Sequence, residues 1–334
     1  MSRVSAPVAV LGAGSWGTAL ALVIARNGRR VKLWDLWTAQ IEALISEREN
    51  RRYLPGFPLP DLIEPTCDLD QALDGVQEVL IVVPSHGFAS LLRAMPPLGP
   101  EVGLAWATKG LEPGTNRLLH EVAGDILGKR DLAVVSGPSF ASEVARGLPT
   151  AVTVASPDLI QARRVAAYLH GERFRTYTSH DLVGVQVGGA AKNVLAIATG
   201  IADGLGFGAN TRAALITRGL AELTRLGTAL GGRPETFMGL AGLGDLVLTC
   251  TDDQSRNRRL GLALARGVSL DQARQDIGQE VEGVLTSRAV HSLAQRFGIE
   301  MPISAEVHGV LYAGTTPEEA THNLLTREGK SEMD

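Results

Sequence analysis

Apolar residues in the first half of this chain come in short unbroken runs, each followed by a stretch with one polar and one apolar face. The runs 8–11, 30–34, 78–83 (EVLIVV), 102–106 (VGLAW), 132–136 (LAVVS), 150–155 (TAVTVA) and 173–177 predict strands. Between most of them, 18–26 (TALALVIAR), 38–48, 86–94, 114–124 and 158–169 predict helices. Strands apolar on both faces and alternating with helices predict a Rossmann-like, doubly wound, mostly parallel sheet. The proline-rich stretch 49–68, carrying Arg51, Arg52 and Tyr53, predicts a long loop or excursion. From about Asp181 the period becomes helical, and the segments 183–205 and 211–230 predict an all-α C-terminal domain. Gly188, Gly189, Ala190 and Ala191 are small enough for close helix contacts. The pattern divides the chain into α/β domain 1–183 and helical domain 184–334, with residues 327–334 as a frayed tail.

The first strand runs into Gly12-Ala13-Gly14-Ser15-Trp16-Gly17. Gly12 permits a tight turn, Gly14 lets the backbone approach a pyrophosphate, and Gly17 allows close helix–strand packing. The helix start then offers free N–H groups and a positive dipole end to phosphates. The second strand ends at Asp35, where an acid can bond a ribose hydroxyl and disfavours a 2′-phosphate. A strand, glycine turn, helix, second strand and terminal acid together predict a dinucleotide site.

Bulk properties narrow the rest. At 334 residues the chain is too long for one core. With 45% hydrophobic and 20% charged residues and a net charge of −4, nothing points to a nucleic-acid or membrane partner. Cys67 and Cys250 form neither a C-x-x-C nor a zinc pattern, so no metal is expected and a reduced, cytoplasmic setting fits. Residues 8–25 lack charge, yet three glycines and a serine interrupt them, and the nucleotide turn accounts for them better than a targeting segment.

Lys192 lies within a long apolar segment among glycines and alanines. Dehydration there would lower its pKa and suit it to proton transfer near neutrality, whereas a lysine at the helix edge would simply extend to water. Asp245, spaced i, i+4 from Thr249, is a candidate counter-charge or, more plainly, a helix cap. Ser255, Arg256 and Asn257 open another helical stretch with groups suited to a phosphate monoester, or with an ordinary solvated first turn. Three further loops follow predicted strands: Pro84-Ser85-His86, Thr108-Lys109-Gly110 and Gly137-Pro138-Ser139-Phe140-Ala141. In open α/β sheets, ligands gather at that edge.

The segments 12–21 (GAGSWGTALA), 82–86 (VVPSH), 106–112 (WATKGLE), 136–141 (SGPSFA), 148–151 (LPTA), 184–197 (GVQVGGAAKNVLAI), 206–220 (GFGANTRAALITRGL), 238–251 (MGLAGLGDLVLTCT), 255–259 (SRNRR) and 301–303 (MPI) run nearly the full length. In that order the chain resembles the bacterial NAD(P)-dependent glycerol-3-phosphate dehydrogenases. The resemblance implies interconversion of sn-glycerol 3-phosphate and dihydroxyacetone phosphate with NAD(P)(H), feeding glycerophospholipid synthesis. It implies Lys192 as the catalytic proton acceptor, with Lys109, Gly137, Ser139, Lys192, Asp245, Ser255, Arg256 and Asn257 on the substrate. Gly12, Gly14, Ser15, Trp16, Gly17, Asp35, Lys109, Ala141, Arg256, Glu280 and Glu282 would line the cofactor. Asn193 and Thr249 lie in matching blocks as supporting groups, and a cytoplasmic homodimer is the expected form. Two other readings stay open: a dehydrogenase of the same plan acting on a hydroxyacid, and a dinucleotide-binding redox sensor without turnover.

Overall fold

The computed structural model describes residues 6–329 and Ser331, so Lys330 and 332–334 of the expected frayed tail lie outside the described residues. Within that tail, Arg327 pairs with Glu300 at 2.6 Å.

Ten strands form: β1 (Val8–Leu11), β2 (Val31–Trp34), β3 (Glu49–Asn50), β4 (Leu54–Pro58), β5 (Ile63–Thr66), β6 (Glu78–Ile81), β7 (Gly103–Trp106), β8 (Leu132–Ser136), β9 (Thr150–Ala155) and β10 (Phe174–Ser179). Eight of them make one sheet in the order β10-β9-β8-β7-β6-β1-β2-β5. Pairing is parallel from β5 through β8, antiparallel between β8 and β9, and parallel again to β10. The sequence-predicted Rossmann-like sheet, mostly parallel, is thus present. β1 lies between β2 and β6, where the strand order reverses, so the crevice for a ligand opens beyond the C-terminal ends of β1 and β6.

Seven helices accompany these strands: α1 (Ser15–Arg26), α2 (Thr38–Glu47), α3 (Leu69–Leu73), α4 (Ser85–Ala94), α5 (Leu119–Leu127), α6 (Ala141–Arg146) and α7 (Leu159–Leu169). Their apolar sides cover both faces of the sheet and produce two cores, one around Leu20, Leu33 and Tyr168, the other around Ile81, Phe88 and Trp106. β1 reads VAVL and is buried throughout, as a strand covered on both faces must be.

Two expectations need correction. Residues 49–68 are not a long loop: β3 and β4 pair as a small antiparallel ribbon, and β5 extends the main sheet at its edge. Proline density misled because Pro65 sits on an edge strand, where a missing N–H costs least. The helix expected at 114–124 starts at Leu119, because Gly114 and Asn116 adopt φ of 86° and 58° and make a turn first.

The second half contributes α8 (Leu182–Gly204), α9 (Ala209–Ala229), α10 (Pro234–Phe237), α11 (Asp245–Thr251), α12 (Arg256–Ala265), α13 (Leu270–Ile277), α14 (Glu282–Phe297), α15 (Pro302–His308) and α16 (Pro317–Leu325), with no strand among the described residues. α8 is long and apolar enough to cross a membrane, yet 94% of its most apolar window is buried inside the protein. It is the axis of a third core that includes Val194, Leu223, Phe237, Leu246 and Leu260. Backbones touch where α8 crosses α12: a Cβ on Gly200 would lie 3.1 Å from Gly261 Cα. Gly188 likewise admits the turn at Leu240–Gly244, since a Cβ there would come within 3.1 Å of the Ala241 carbonyl carbon. That close approach sets α11 beside α8.

Candidate active site

α1 begins directly after the glycine turn, and its N-terminus has no side-chain cap, so first-turn N–H groups of Ser15, Trp16 and Gly17 are left for an anion. Gly12 has φ of 118° and lies so close to Val82 that a Cβ would fall 2.9 Å from its carbonyl oxygen. Gly14 has open space beside it, which leaves the backbone approachable. Asp35 Oδ2 accepts from Ala13 N at 2.8 Å and Oδ1 accepts from Trp37 N at 3.1 Å, which fixes the carboxylate beside the turn. These features fit a dinucleotide. Asn50, from the stretch expected to be a loop, donates to Ala13 O at 2.9 Å and Thr18 Oγ1 at 2.7 Å. It is buried and pins the turn from behind. Nothing in the sequence pattern announces it, because the contact spans 37 positions.

Lys192 lies in the middle of α8, only 5% exposed, and does not extend to water. Its Nζ donates to Asp245 Oδ1 and, at 2.9 Å, to Thr249 Oγ1. Asp245 is 1% exposed and stands inside the first turn of α11, with Gly244 before it as N-cap, so it is no cap itself. The i, i+4 spacing places Asp245 and Thr249 on one face, and Thr249 also donates to Asp245 O at 2.6 Å. From the sheet domain Lys109 reaches the same carboxylate, Nζ to Oδ2 at 2.8 Å, and also donates to Gly137 O at 3.0 Å. One carboxylate from the helical half therefore holds two ammonium groups, one from each half.

Burial lowers the Lys192 pKa to about 7, Lys109 adds to the lowering, and Asp245 opposes it. Proton exchange near neutral pH is the consequence. Cys250 is close by in α11, but burial pushes its thiol up to about 12 and it remains a neutral core residue. His86 is exposed, at the second position of α4 rather than in a loop.

The remaining residues divide. Gly137 has φ of 148° and its carbonyl accepts from both Lys109 and, at 3.0 Å, Ser139 Oγ. Ser255 Oγ caps Arg258 N at 3.2 Å, and the N–H groups of Arg256 and Asn257 open α12 toward an anion. The Asn257 side chain turns inward: Nδ2 donates to Asn193 Oδ1 and Oδ1 accepts from Gly283 N, both at 2.9 Å. Arg256 Nη1 donates weakly to Gln279 Oε1 at 3.5 Å; burial lowers its pKa, and the charges of Glu282 and Glu280 oppose that lowering. Arg258 is no solvated first-turn residue but a buried tie, paired with Asp203 and, at 2.9 Å, with Asp253. Glu282 spans the two halves, accepting from Ser85 N at 3.0 Å and Ser85 Oγ at 2.7 Å at the start of α4. Ala141 is the first residue of α6.

Two family models match, one for the N-terminus of NAD-dependent glycerol-3-phosphate dehydrogenase over residues 7–162 and one for its C-terminus over 181–322. A glycerol-3-phosphate dehydrogenase [NAD(P)+] of Thioalkalivibrio sulfidiphilus is 59% identical across 98% of this chain and 99% of its own. That of Stenotrophomonas maltophilia is 56% identical across 99% of this chain and 98% of its own. The crystal structure of glycerol-3-phosphate dehydrogenase from Coxiella burnetii superposes with a TM-score of 0.95 at 51% identity, covering 97% of this chain and 100% of that one. With both halves matched in order and the fold superposing throughout, the chain belongs to the NAD-dependent glycerol-3-phosphate dehydrogenase family.

Proposed function

We propose that this chain interconverts sn-glycerol 3-phosphate and dihydroxyacetone phosphate with NAD(P)(H), using Lys192 as its acid–base group. The observation that carries the reading is the Lys192 amine, buried and lowered to about 7, on a carboxylate that Lys109 of the other half also grips. A bound nicotinamide dinucleotide supplies the hydride acceptor or donor. In oxidation, neutral Lys192 takes the proton of the substrate C2 hydroxyl as the C2 hydrogen departs with its electron pair. In reduction, protonated Lys192 gives that proton to the oxygen formed at C2. Asp245 orients the amine, and its charge is shared with Lys109, so it does not lock Lys192 in the protonated form.

Arg256 and the N–H groups at the start of α12 hold the phosphate, with Ser255, Ser139 and Lys109 alongside. Binding energy from that remote group positions C2 for transfer. Gly12, Gly14, Ser15, Trp16, Gly17, Asp35, Ala141 and Glu280 belong to the cofactor side of this reading, the dinucleotide-binding half being 1–183 and the substrate half 184–334. Glu282 acts there through Ser85. The full reading is a cytoplasmic homodimer that supplies glycerol 3-phosphate for glycerophospholipid synthesis. Sedimentation giving only a 35.3 kDa species would remove the dimer from it.

Oxidation of NADH and NADPH by dihydroxyacetone phosphate, followed spectrophotometrically beside a panel of hydroxyacids and their keto forms, tests the activity. Turnover of a hydroxyacid alone would favour the carboxylate-handling alternative, and cofactor binding without any turnover would favour a sensor.

Two expected results follow from the site. Oxidation needs the neutral amine, so kcat for glycerol 3-phosphate rises with pH through about 7 and then levels. Reduction needs the ammonium, so kcat for dihydroxyacetone phosphate falls as pH passes the same region. Profiles moving in the same direction would argue against one shared group. Separately, the Asp35 carboxylate stands beside the glycine turn and repels a 2′-phosphate. NADH is expected to exceed NADPH in kcat/KM by about tenfold or more, a difference of ~1.4 kcal/mol, and Asp35→Asn should narrow the gap. Equal use of both by the parent chain would contradict this.

A further inference from the structure

In the functional reading above, the substrate's anion site is divided between two loops on different halves of the molecule. Gly137 and Ser139 precede α6 on the sheet half, and Ser255 and Arg256 begin α12 on the helical half. Gln254 crosses between them. Its Oε1 accepts from Ser142 Oγ at 2.6 Å, and its Nε2 donates to Glu143 Oε1 at 3.1 Å. Both partners lie in the first turn of α6.

The backbone under Gln254 is itself held. Gln254 N donates to Asp252 Oδ1 at 2.8 Å and Ser255 N donates to Asp252 O at 3.1 Å. The same tight turn therefore carries the bridging amide and the cap of α12. A pull on the Gln254 side chain is transmitted to Ser255 and Arg256.

We propose that Gln254 is a positioning residue that holds the phosphate end of the cleft closed, setting the distance between the Ser139 and Arg256 loops. An amide suits this place because one atom must accept from a hydroxyl while the other donates to a carboxylate. Gln254 is exposed at the rim, so its bonds add little to the core. Their effect is on the population of the closed cleft. A ligand gripping both loops binds with apparent affinity scaled by the closed fraction, whereas a dinucleotide held chiefly at the glycine turn, α1 and Asp35 of the sheet half depends on it far less. The inference rests on the dihydroxyacetone phosphate reading above.

The test compares the parent chain with Gln254→Ala, Gln254→Glu and the double variant Gln254→Glu/Glu143→Gln. Gln254→Ala should raise KM for dihydroxyacetone phosphate about tenfold, the scale of two lost hydrogen bonds, with kcat and KM for NADH within about twofold. Gln254→Glu should do at least as much, because two carboxylates then meet across the gap. In the double variant the carboxylate at 254 accepts from Ser142 and the amide at 143 donates to it, so KM should return to within about threefold of the parent value. An unchanged KM in Gln254→Ala overturns the inference. So does a double variant no better than Gln254→Glu, since the amide would then be acting on the substrate itself. If the parent chain fails to reduce dihydroxyacetone phosphate, it is the functional reading that falls.

Discussion

Lys192→Ala is expected to lower kcat by a factor of about 10²–10⁴ in both directions, the usual worth of a general acid–base group. That corresponds to ~2.7–5.5 kcal/mol of transition-state stabilisation. The substitution removes the amine that donates to Asp245 and Thr249, but it does not strand the buried carboxylate, because Lys109 remains on Oδ2 at 2.8 Å. The loss should therefore be chemical more than structural. The glycine turn and α1 belong to the other half, so NADH affinity, measured by fluorescence titration, should stay within about twofold of the parent. The pH dependence near 7 should vanish with the amine. A variant that keeps kcat within about threefold of the parent, or retains that limb, would show that another group carries the proton.

Arg256→Lys should reduce kcat/KM for dihydroxyacetone phosphate by roughly 10–100-fold even though the charge is kept, a loss of ~1.4–2.7 kcal/mol. A guanidinium presents two parallel N–H groups to a phosphate, and an ammonium presents a single point charge. In this structure the arginine stands at the first position of α12, beside N–H groups of the helix start, with Gln279 as a weak partner. The charges of Glu280 and Glu282 act on the cation at this position whether it is arginine or lysine, so the substitution isolates fork geometry from charge. Competitive inhibition by inorganic phosphate should weaken in parallel. Unchanged KM and unchanged phosphate inhibition would dismiss the clamp.

The local features of the site were legible before the fold was known. Glycine spacing between a strand and a helix, Asp35 at the end of β2, and the i, i+4 pair Asp245 and Thr249 all depend on short-range geometry. Long-range partners were not. Lys192 admits two readings on its own helix, and only α11, brought close by the bare backbone at Gly188, supplies the carboxylate that decides between them. Asn257 carries the side chain expected on a phosphate, yet Asn193 and Gly283 claim it. Arg258 passes for a surface charge until Asp203 is beside it. Asn50, Gln254 and the Ser85–Glu282 bond join residues 37, 112 and 197 positions apart, a distance at which no periodicity speaks.

What this chain's order of residues determined by itself was the type of most elements and the dinucleotide turn, because strand and helix periods and glycine's backbone freedom act over a few residues. Tertiary structure alone decided which charges are dry. A lysine titrates near 7, or an arginine becomes a tie, only when distant helices remove water from it and place an acid within reach.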